Sequence, residues 1–490
     1  MNHNPPMKQR ILSFSCFLVY LGLVALPLLL ATTTHLPNRP WLDELSSAMA
    51  MLAFNIILLE FLTSGKIAWL SKRVGINWVL QIHQLFSRTA ILLLISHPFL
   101  YSLPNHPNYA PGPPTESYLG MTGSTLMTGL LGLITLGVLI GLAITRTKSK
   151  TSYESWRASH VIMALIISSA GLHHTLHAGR YAQEKWMMHY WQVAFGIALL
   201  TLLWVYVIQP LIQKYHPYQV SSLKQVAYNI WELTIHSKNP STHPSYQAGQ
   251  FTWLKLKTPA PLYENPFSIS SAPTPSSNTL SFLIKDLGDF THQVTELKIG
   301  DSIYVSSAYG NFGQLSNESN SNNIPLVMIA GGVGIAPMIS LLKQMIATQH
   351  TVERAIHLIY GNRIESQIID LSIMVNLKAF KNLTITHVIS EPTSDWKGLV
   401  GVLDQVTLKK ALEKTNSFNS STKYLVCVAA EMIDGVEYAL EALSVDISQI
   451  DSEKFQYDFT QKTARIRNSL IGWTLGTMAL IASAIYFSQT

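Results

Sequence analysis

Residues 83–97 read HQLFSRTAILLLISH, two histidines bracketing a run that is apolar apart from a few polar residues and Arg88. On an α-helix their 14-residue separation is about 21 Å of rise and falls about 40° short of four full turns. Both imidazoles therefore leave one side of the helix, one near each edge of a hydrocarbon core roughly 30 Å thick. Residues 160–174, HVIMALIISSAGLHH, repeat the device. His160 and His174 share the same spacing, with His173 as the alternative at 13. Two parallel helices so equipped can clamp two b-type haems stacked across a membrane. Neutral imidazole is a good axial ligand, and two per iron give a six-coordinate centre suited to electron transfer rather than to oxygen binding at the iron. A single intramembrane histidine more often bonds a neighbouring helix; four at matched depths point to haem ligation.

The rest of the composition agrees with a membrane setting. The chain has 490 residues, 48% hydrophobic and only 13% charged, too apolar for an ordinary soluble protein. Residues 1–215 carry 14 Lys/Arg against 6 Asp/Glu, and residues 216–490 carry 20 against 22. A basic apolar part thus precedes a near-neutral soluble one. The basic excess reads as orienting charge, with no nucleic-acid partner. Two cysteines, Cys16 and Cys427, argue against a disulfide framework, a thiolate zinc site or an iron–sulfur cluster.

Residues 11–30 form an apolar run too long for a signal-peptide core and without a clear cleavage site, so a retained first helix is expected. Further spans are expected at 45–70, 78–101, 120–145, 156–177 and 187–212. Lys66, Lys72 and Arg73 follow span two, and Arg146, Lys148, Lys150 and Arg157 follow span four, whereas 102–119 has neither Lys nor Arg. The positive-inside rule then places the N-terminus, these two basic loops and everything after span six in the cytoplasm. Spans three and five run the same way, so His83 and His160 lie near the cytoplasmic face and His97 and His174 near the far one. A last apolar run, 470–487, follows Lys462, Arg465 and Arg467 and reads as a seventh span or an interfacial helix. Arg88 is costly within a span unless paired; a haem propionate and Glu60 are its candidate partners.

Residues 216–462 change character. Short β-branched runs such as IWELTIHS, FTWLKLK and SIYVSSA, punctuated by Gly, Pro and Ser, read as a small antiparallel barrel to about residue 322. QLSNESNSNN at 314–323 is a polar linker. A strand–helix alternation from LVMIA to about residue 450 then reads as a doubly wound α/β domain. In the barrel, NPFSISSAP (265–273) is rich in hydroxyls and backbone donors, and KDLGDFTHQV (285–294) sets Gly288 in a turn ahead of Thr291 at a helix start, where N–H groups can meet a pyrophosphate. IAGGVGIAPMISLL (329–342) is a glycine turn between strand and helix. Its glycines let backbone approach phosphate, and Pro337 suits a helix's first turn. Arg363, after the next strand, is placed to meet the 2′-phosphate of NADP or to be a solvated loop residue.

Together these motifs resemble the ferric reductase/NADPH oxidase superfamily, of prokaryotic type, over nearly all of residues 45–462. That family joins a di-haem membrane domain to a ferredoxin–NADP reductase-like module. The resemblance implies that His83, His97, His160 and His174 hold two b-type haems. It implies that Asn265, Pro266, Phe267, Ser268, Ile269 and Ser270 hold the flavin ring of FAD, with Phe455 covering it. Gly288, Asp289, Phe290 and Thr291 would hold the FAD phosphates. Gly331, Gly332, Gly334, Ile335 and Pro337 would cradle NADPH or NADH, with Cys427 near the nicotinamide. The chain departs from the family at Asn265, where His or Arg is common, at Ala308, where Pro is usual, at Val428, where glycine is usual, and in its seventh apolar segment.

Three domains and a last helix are expected: 1–215 di-haem membrane domain, 216–322 FAD barrel, 323–462 NAD(P) domain, and 463–490. The implied activity passes electrons from cytoplasmic NAD(P)H through FAD and haem to a ferric chelate or dioxygen beyond a bacterial cytoplasmic membrane. His106, His173 and His177 are candidate iron contacts on that side. No general acid or nucleophile is required. A second expectation, raised by Val428 and Asn265, is a haem-bearing membrane subunit that serves a partner redox protein and has a degenerate nucleotide domain.

Overall fold

The computed structural model describes residues 5–37, 39–100, 123–146, 152–238, 245–274, 278–313, 324–349, 351–413, 421–452 and 463–489. The described chain begins with α1 (Pro5–Ala31), α2 (Trp41–Glu60), α3 (Ala68–Val74), α4 (Ile76–Leu100), α5 (Gly123–Thr145), α6 (Tyr153–Ala178), α7 (Lys185–Leu203) and α8 (Gln209–Tyr215). It divides into two compact units. One comprises Ile11–Ile67, Val79–Val207 and Leu470–Thr490; the other comprises Met1–Arg10, Ala68–Trp78 and Ile208–Ser469.

The first unit is helical. Among the described residues, seven helices are long and apolar enough to cross a membrane, the last being the final helix of the chain, Ala464–Gln489. The protein is therefore an integral membrane protein. Span two is shorter than its hydropathy implied: the helix stops at Glu60, and Thr63, Ser64 and Gly65 (φ +77°) turn the chain before α3. Span six continues through a π-helical turn at Trp204–Ile208 into α8. Pro210, at the start of α8, has no N–H to return to the preceding turn, and the ladder widens there.

Buried polar side chains repair such breaks where water is absent. Pro27 cannot donate to the carbonyl of Leu23, and Asn55 of α2 does so instead at 2.7 Å, while its own Oδ1 accepts from Tyr190 of α7 at 2.8 Å. At Gly171 of α6 an added Cβ would stand 2.7 Å from the Phe54 ring, so the missing side chain sets the approach of α6 to α2. The last helix packs inside this unit: Trp473 donates to Thr89 of α4 at 2.8 Å, and Thr89 meets Thr477 at 2.9 Å. The expected 470–487 segment is thus part of a 26-residue helix docked on the helix that bears His83 and His97.

The second unit opens with β1 (Tyr218–Ala227), β2 (Ile230–Ser237), β3 (Phe251–Lys255), β4 (Asn265–Ser268), β5 (Thr279–Lys285), α9 (Asp289–Thr295) and β6 (Ser302–Val305). These strands form one antiparallel sheet, ordered β4-β3-β6-β1-β2-β5. Its edges meet through a bridge between Ile269 and Phe282, so the barrel is only partly closed. Lys255 of β3 is buried against Glu264 at 3.1 Å and donates to Gln213 of α8 at 2.6 Å, which packs α8 on the barrel within this unit.

Then come β7 (Leu326–Gly331), α10 (Ile335–Gln349), β8 (Ile356–Asn362), α11 (Leu371–Met374), β9 (Leu383–Ile389), β10 (Leu399–Val400), α12 (Gln405–Glu413), β11 (Lys423–Cys427), α13 (Ala430–Ala442) and β12 (Ile450–Ser452), before α14 (Ala464–Gln489). The sheet is wholly parallel, in the order β10-β9-β8-β7-β11-β12. Alternation along β7 serves both faces: Leu326, Met328 and Ala330 join the core under α10, and Val327 and Ile329 join the core under α12 and α13. The strand order reverses between β7 and β11, and such a switch point opens a crevice beyond the strands' carboxyl ends.

Asp451 of β12 accepts from the Gly313 N–H at 2.9 Å, and desolvation pushes its carboxyl pKa up to about 6. A raised acid pKa means that the native state binds more protons than the unfolded one between about pH 4 and 6, so stability falls as pH rises through that window. Asp451→Asn, which keeps the acceptor, is expected to raise the thermal midpoint at pH 7 and to lose that gain below about pH 4. Thermal melts at the two pH values check this.

Candidate functional site

Four imidazoles occupy two levels of the helical unit. The His83 and His160 rings have centroids 6.4 Å apart and planes inclined by 59°. A metal–imidazole bond is about 2 Å long, so rings at this separation would leave room for one metal ion between two of their nitrogens. Around Nδ1 of His83 is the carboxylate of Glu60, with Oε2 at 2.9 Å but beside rather than along the ring N–H direction. Nδ1 of His160 is buried with no hydrogen-bond partner among the described residues. At the other level, Nδ1 of His97 lies 3.0 Å from the Ser46 carbonyl and 2.8 Å from its hydroxyl. Nδ1 of His174 lies 2.9 Å from the Thr125 carbonyl. A carbonyl acceptor fixes the proton on Nδ1 and leaves Nε2 its lone pair, which is how metal-ligating histidines are held. The residues present fit two bis-histidine haems.

His173 differs. Its Nδ1 faces the Thr128 hydroxyl at 3.1 Å and its ring stacks on His177 at 4.2 Å. Gly129 of α5 makes room for His174, whose Nδ1 would lie 2.9 Å from an added Cβ. His106 and Phe455 lie outside the described residues.

Arg88 lies on α4 between the two histidines. Its side chain is exposed, and its place on α4 is about 140° round the helix from His83. Glu60, one of its two candidate partners, takes Tyr20 at 2.7 Å, Thr63 at 2.5 Å and His83. The buried arginine on this level is Arg157, one turn before His160, with its guanidinium 5.6 Å from the Tyr153 ring. The helical spacing of three to His160 was the signal for it. Ser46 was also missed, and Glu60 was named only as a partner for Arg88, although the two stand 14 apart on α2, the spacing of the histidines they contact.

At the end of the bundle that carries His97 and His174, a cavity of about 650 Å³ lies among Thr32, Arg39, Trp41, Glu44, Tyr181 and Phe487. Arg39, Arg180 and Tyr181 all donate to Glu44 there, at 3.0, 2.9 and 2.5 Å.

In the second unit, the two barrel segments come together. Phe267 of β4 and Phe290 of α9 stack at 5.7 Å. Asn265, Pro266, Phe267 and Ser268 are half-buried, whereas Ile269 and Ser270 are buried, and the Ser270 hydroxyl has no hydrogen-bond partner among the described residues. Gly288 and Asp289 are exposed. Thr291 stands at the third position of α9 rather than at its start, and its hydroxyl accepts from the N–H groups of Leu287 and Gly288 at 2.9 and 3.0 Å. Those two donors are spent on the turn. What stays accessible for a flavin nucleotide is the half-buried edge of β4 and the Phe267–Phe290 pair. An open strand edge beside two stacked rings fits FAD.

The glycine turn sits at the switch point. Gly331 ends β7, and Gly332 has φ +54°. At Gly334 an added Cβ would lie 2.0 Å from the Cys427 carbonyl oxygen at the end of β11. Ile335 and Pro337 are buried in the first turn of α10. Cys427 is half-buried beside this turn, and Val428 turns away into the core, with the side chain where glycine is usual packed against Gly331. The Ser340 hydroxyl donates to the Ser271 carbonyl at 2.6 Å, which brings the glycine turn's helix against the β4 segment. Arg363, exposed past the end of β8, is paired with Glu391 at 2.9 Å.

Three family models match, in chain order: a ferric reductase like transmembrane component over residues 49–171, an FAD-binding domain over 215–331 and an oxidoreductase NAD-binding domain over 328–438. Cytochrome b5 reductase 4 of Bos taurus is 31% identical over 204 residues, 39% of this chain and 37% of that protein. NADH-cytochrome b5 reductase 1 of Laccaria bicolor is 31% identical over 180 residues, 35% of this chain and 55% of that protein. The chain thus spans roughly a third to a half of the length of these relatives. The solved CS-b5R domains of human Ncb5or, in the NAD+ form, align at a TM-score of 0.41 with 26% identity over 48% of this chain and 68% of that one.

Proposed function

Because the chain belongs to the ferric reductase superfamily, with a membrane component followed by FAD- and NAD-binding domains, we propose that it is an NAD(P)H-dependent oxidoreductase that moves electrons across the membrane to an acceptor on the far side. The observation that carries this reading is the His83–His160 pair, 6.4 Å apart within an apolar bundle, with His97 and His174 held for the same task one level away. When bound, FAD converts a hydride's electron pair into single electrons and b-type haems conduct them through lipid. The chain's own part is to orient and insulate. Ser46 and Thr125 fix imidazole tautomers, the apolar spans exclude water, and Gly331, Gly332 and Gly334 let a dinucleotide reach the backbone beside Cys427. The cavity at Arg39 and Tyr181 is the candidate entry for the acceptor, a ferric chelate or dioxygen.

Anaerobic titration of purified protein with NADH and NADPH tests this. Flavin bleaching followed by haem reduction is expected; a haem spectrum with no bleaching by either nucleotide would leave the subunit serving a partner redox protein. Superoxide formed in air would identify dioxygen as an acceptor.

The Arg363–Glu391 pair bears on the nucleotide. A carboxylate on Arg363 disfavours a 2′-phosphate there, so NADH is expected to serve at least as well as NADPH. Glu391→Gln releases the guanidinium; since exposed pairs hold about 1 kcal/mol at most, KM for NADPH is expected to fall by up to about fivefold, with KM for NADH unchanged. Steady-state kinetics with both nucleotides check it.

A further inference from the structure

Helix α3 has two sides with different surroundings. Ser71 and Val74 are buried. The Ser71 hydroxyl accepts from the Gly310 N–H at 3.5 Å and Lys72 donates to the Ser245 carbonyl at 3.4 Å, so this side packs on the flavin barrel within one unit. Trp69 and Arg73 stand four apart and share the other side. Both are exposed, Trp69 at 67%. The Arg73 guanidinium lies 5.9 Å from the Trp69 ring centre, and no acid pairs with it among the described residues. Residues 61–75, FLTSGKIAWLSKRVG, hold the cations Lys66, Lys72 and Arg73 and no Asp or Glu. We propose that the Trp69–Arg73 face of α3 binds anionic phospholipid headgroups, so that the unit holding the flavin barrel meets the membrane through lipid as well as through the chain itself.

The covalent path names the occupant. Residues 61–67 separate α3 from the end of α2, and Gly75 alone separates it from α4. Both α2 and α4 are apolar helices long enough to cross a membrane. Seven extended residues reach at most about 25 Å, and one residue far less, so α3 stays close to a bilayer surface. A tryptophan at that depth rests its ring at headgroup level. An arginine beside it lays its stem along the ring and keeps its charge among phosphates. Each basic residue near an anionic surface multiplies the affinity about fivefold, and no carboxylate within 61–75 offsets it. Helix α8 repeats the arrangement. Gln213 is buried and bonded to Lys255 of the barrel, whereas Lys214 and Tyr215, the latter at 77%, are exposed. This helix continues directly from the sixth span. Two connections between apolar helices and the barrel's unit thus each present an aromatic ring and a cation.

The test is hydrogen exchange, read by mass spectrometry, of the full chain in nanodiscs of phosphatidylcholine alone or with phosphatidylglycerol. Amides of residues 66–75 are expected to exchange more slowly in the phosphatidylglycerol discs, and the difference is expected to shrink as salt is raised. Arg73→Ala is expected to speed their exchange about fivefold in those discs and to leave it unchanged in phosphatidylcholine alone. Arg73→Lys keeps the charge and is expected to keep most of the protection. Trp69 supplies a reading of depth: the emission lost in Trp69→Phe is expected to be quenched in wild type by phospholipid brominated near the headgroup, relative to the unbrominated lipid. Exchange indifferent to phosphatidylglycerol, or a Trp69 signal that brominated lipid does not quench, overturns the proposal. Equal protection from inorganic phosphate in phosphatidylcholine discs overturns it in favour of a free-anion site. A dimer in detergent that Arg73→Ala dissociates overturns it in favour of a second copy of the chain. None of these signals depends on electron transfer, so the proposed oxidoreductase activity stands or falls separately.

Discussion

His174→Ala is expected to remove about half of the Soret absorbance of the haem-loaded protein and to abolish delivery of electrons to the far side, while His173→Ala leaves both intact. The two residues are neighbours, and helical geometry separates them. His174 falls about 40° from His160 around α6, whereas His173 falls about 140° away. The contacts agree with the angles. His174 is held by the Thr125 carbonyl, which fixes the proton on Nδ1, and Gly129 gives its ring room. His173 is stacked on His177 and faces a hydroxyl. Pyridine haemochrome analysis with flavin as internal standard reads the stoichiometry, and the remaining haem should still reduce with NAD(P)H because His83 and His160 are untouched. Unchanged haem in His174→Ala together with loss in His173→Ala would assign the ligand to the wrong neighbour. Gly129→Ala supplies a graded version: its Cβ would press Nδ1 of His174, so one of two ferric resonance signals should shift without loss of haem.

The features legible in the sequence are those that need no knowledge of a neighbour. A long apolar run must be a buried or lipid-facing helix whatever surrounds it, and a spacing of 14 fixes a face without reference to a partner. The glycine turn after LVMIA is legible because a backbone that must approach β11 closely tolerates no side chain. What depends on partners was not legible. Hydropathy continued span two past Glu60 because 61–70 holds few charges; the turn at Gly65 ends it. Arg157 reads from the sequence as an orienting charge after span four, and only the fold shows it buried, one turn before His160 on α6. The Lys255–Glu264 pair is invisible in a strand pattern, since alternation places Lys255 on a face but cannot say that α8 covers it. Val428 reads from the sequence as a departure from glycine, and only packing shows its side chain buried against Gly331. The order of the parallel sheet, and with it the crevice between β7 and β11, is likewise a property of the assembled domain.

Gly334→Ala is expected to slow reduction of the flavin by NAD(P)H by about 10²-fold or more, the scale of loss when a reacting group is misplaced by about 1 Å. The reason is steric and specific to this position. The new Cβ would stand 2.0 Å from the Cys427 carbonyl oxygen and 2.7 Å from its carbon. These are backbone atoms of a central strand, paired in register with Ala330, and they cannot swing aside as a flexible side chain would. Either the glycine turn lifts off the end of β11 or β11 yields; both move the phosphate cradle relative to Cys427. Overpacking of this kind also costs about 1–3 kcal/mol of stability, so the thermal midpoint should fall, and the control must separate the two effects. Gly332→Ala provides it. That residue has φ +54° and nothing within 4 Å of its added Cβ, so it bears a left-handed penalty of about 1–2 kcal/mol without displacing β11. Comparable loss of stability in the two variants, with the large loss of hydride transfer confined to Gly334→Ala, is the expected pattern. Reduction of the haems by dithionite, which bypasses the nucleotide, should be the same in both as in wild type. Equal rates of flavin reduction in Gly334→Ala and wild type would mean that the nucleotide does not use the turn between β7 and α10.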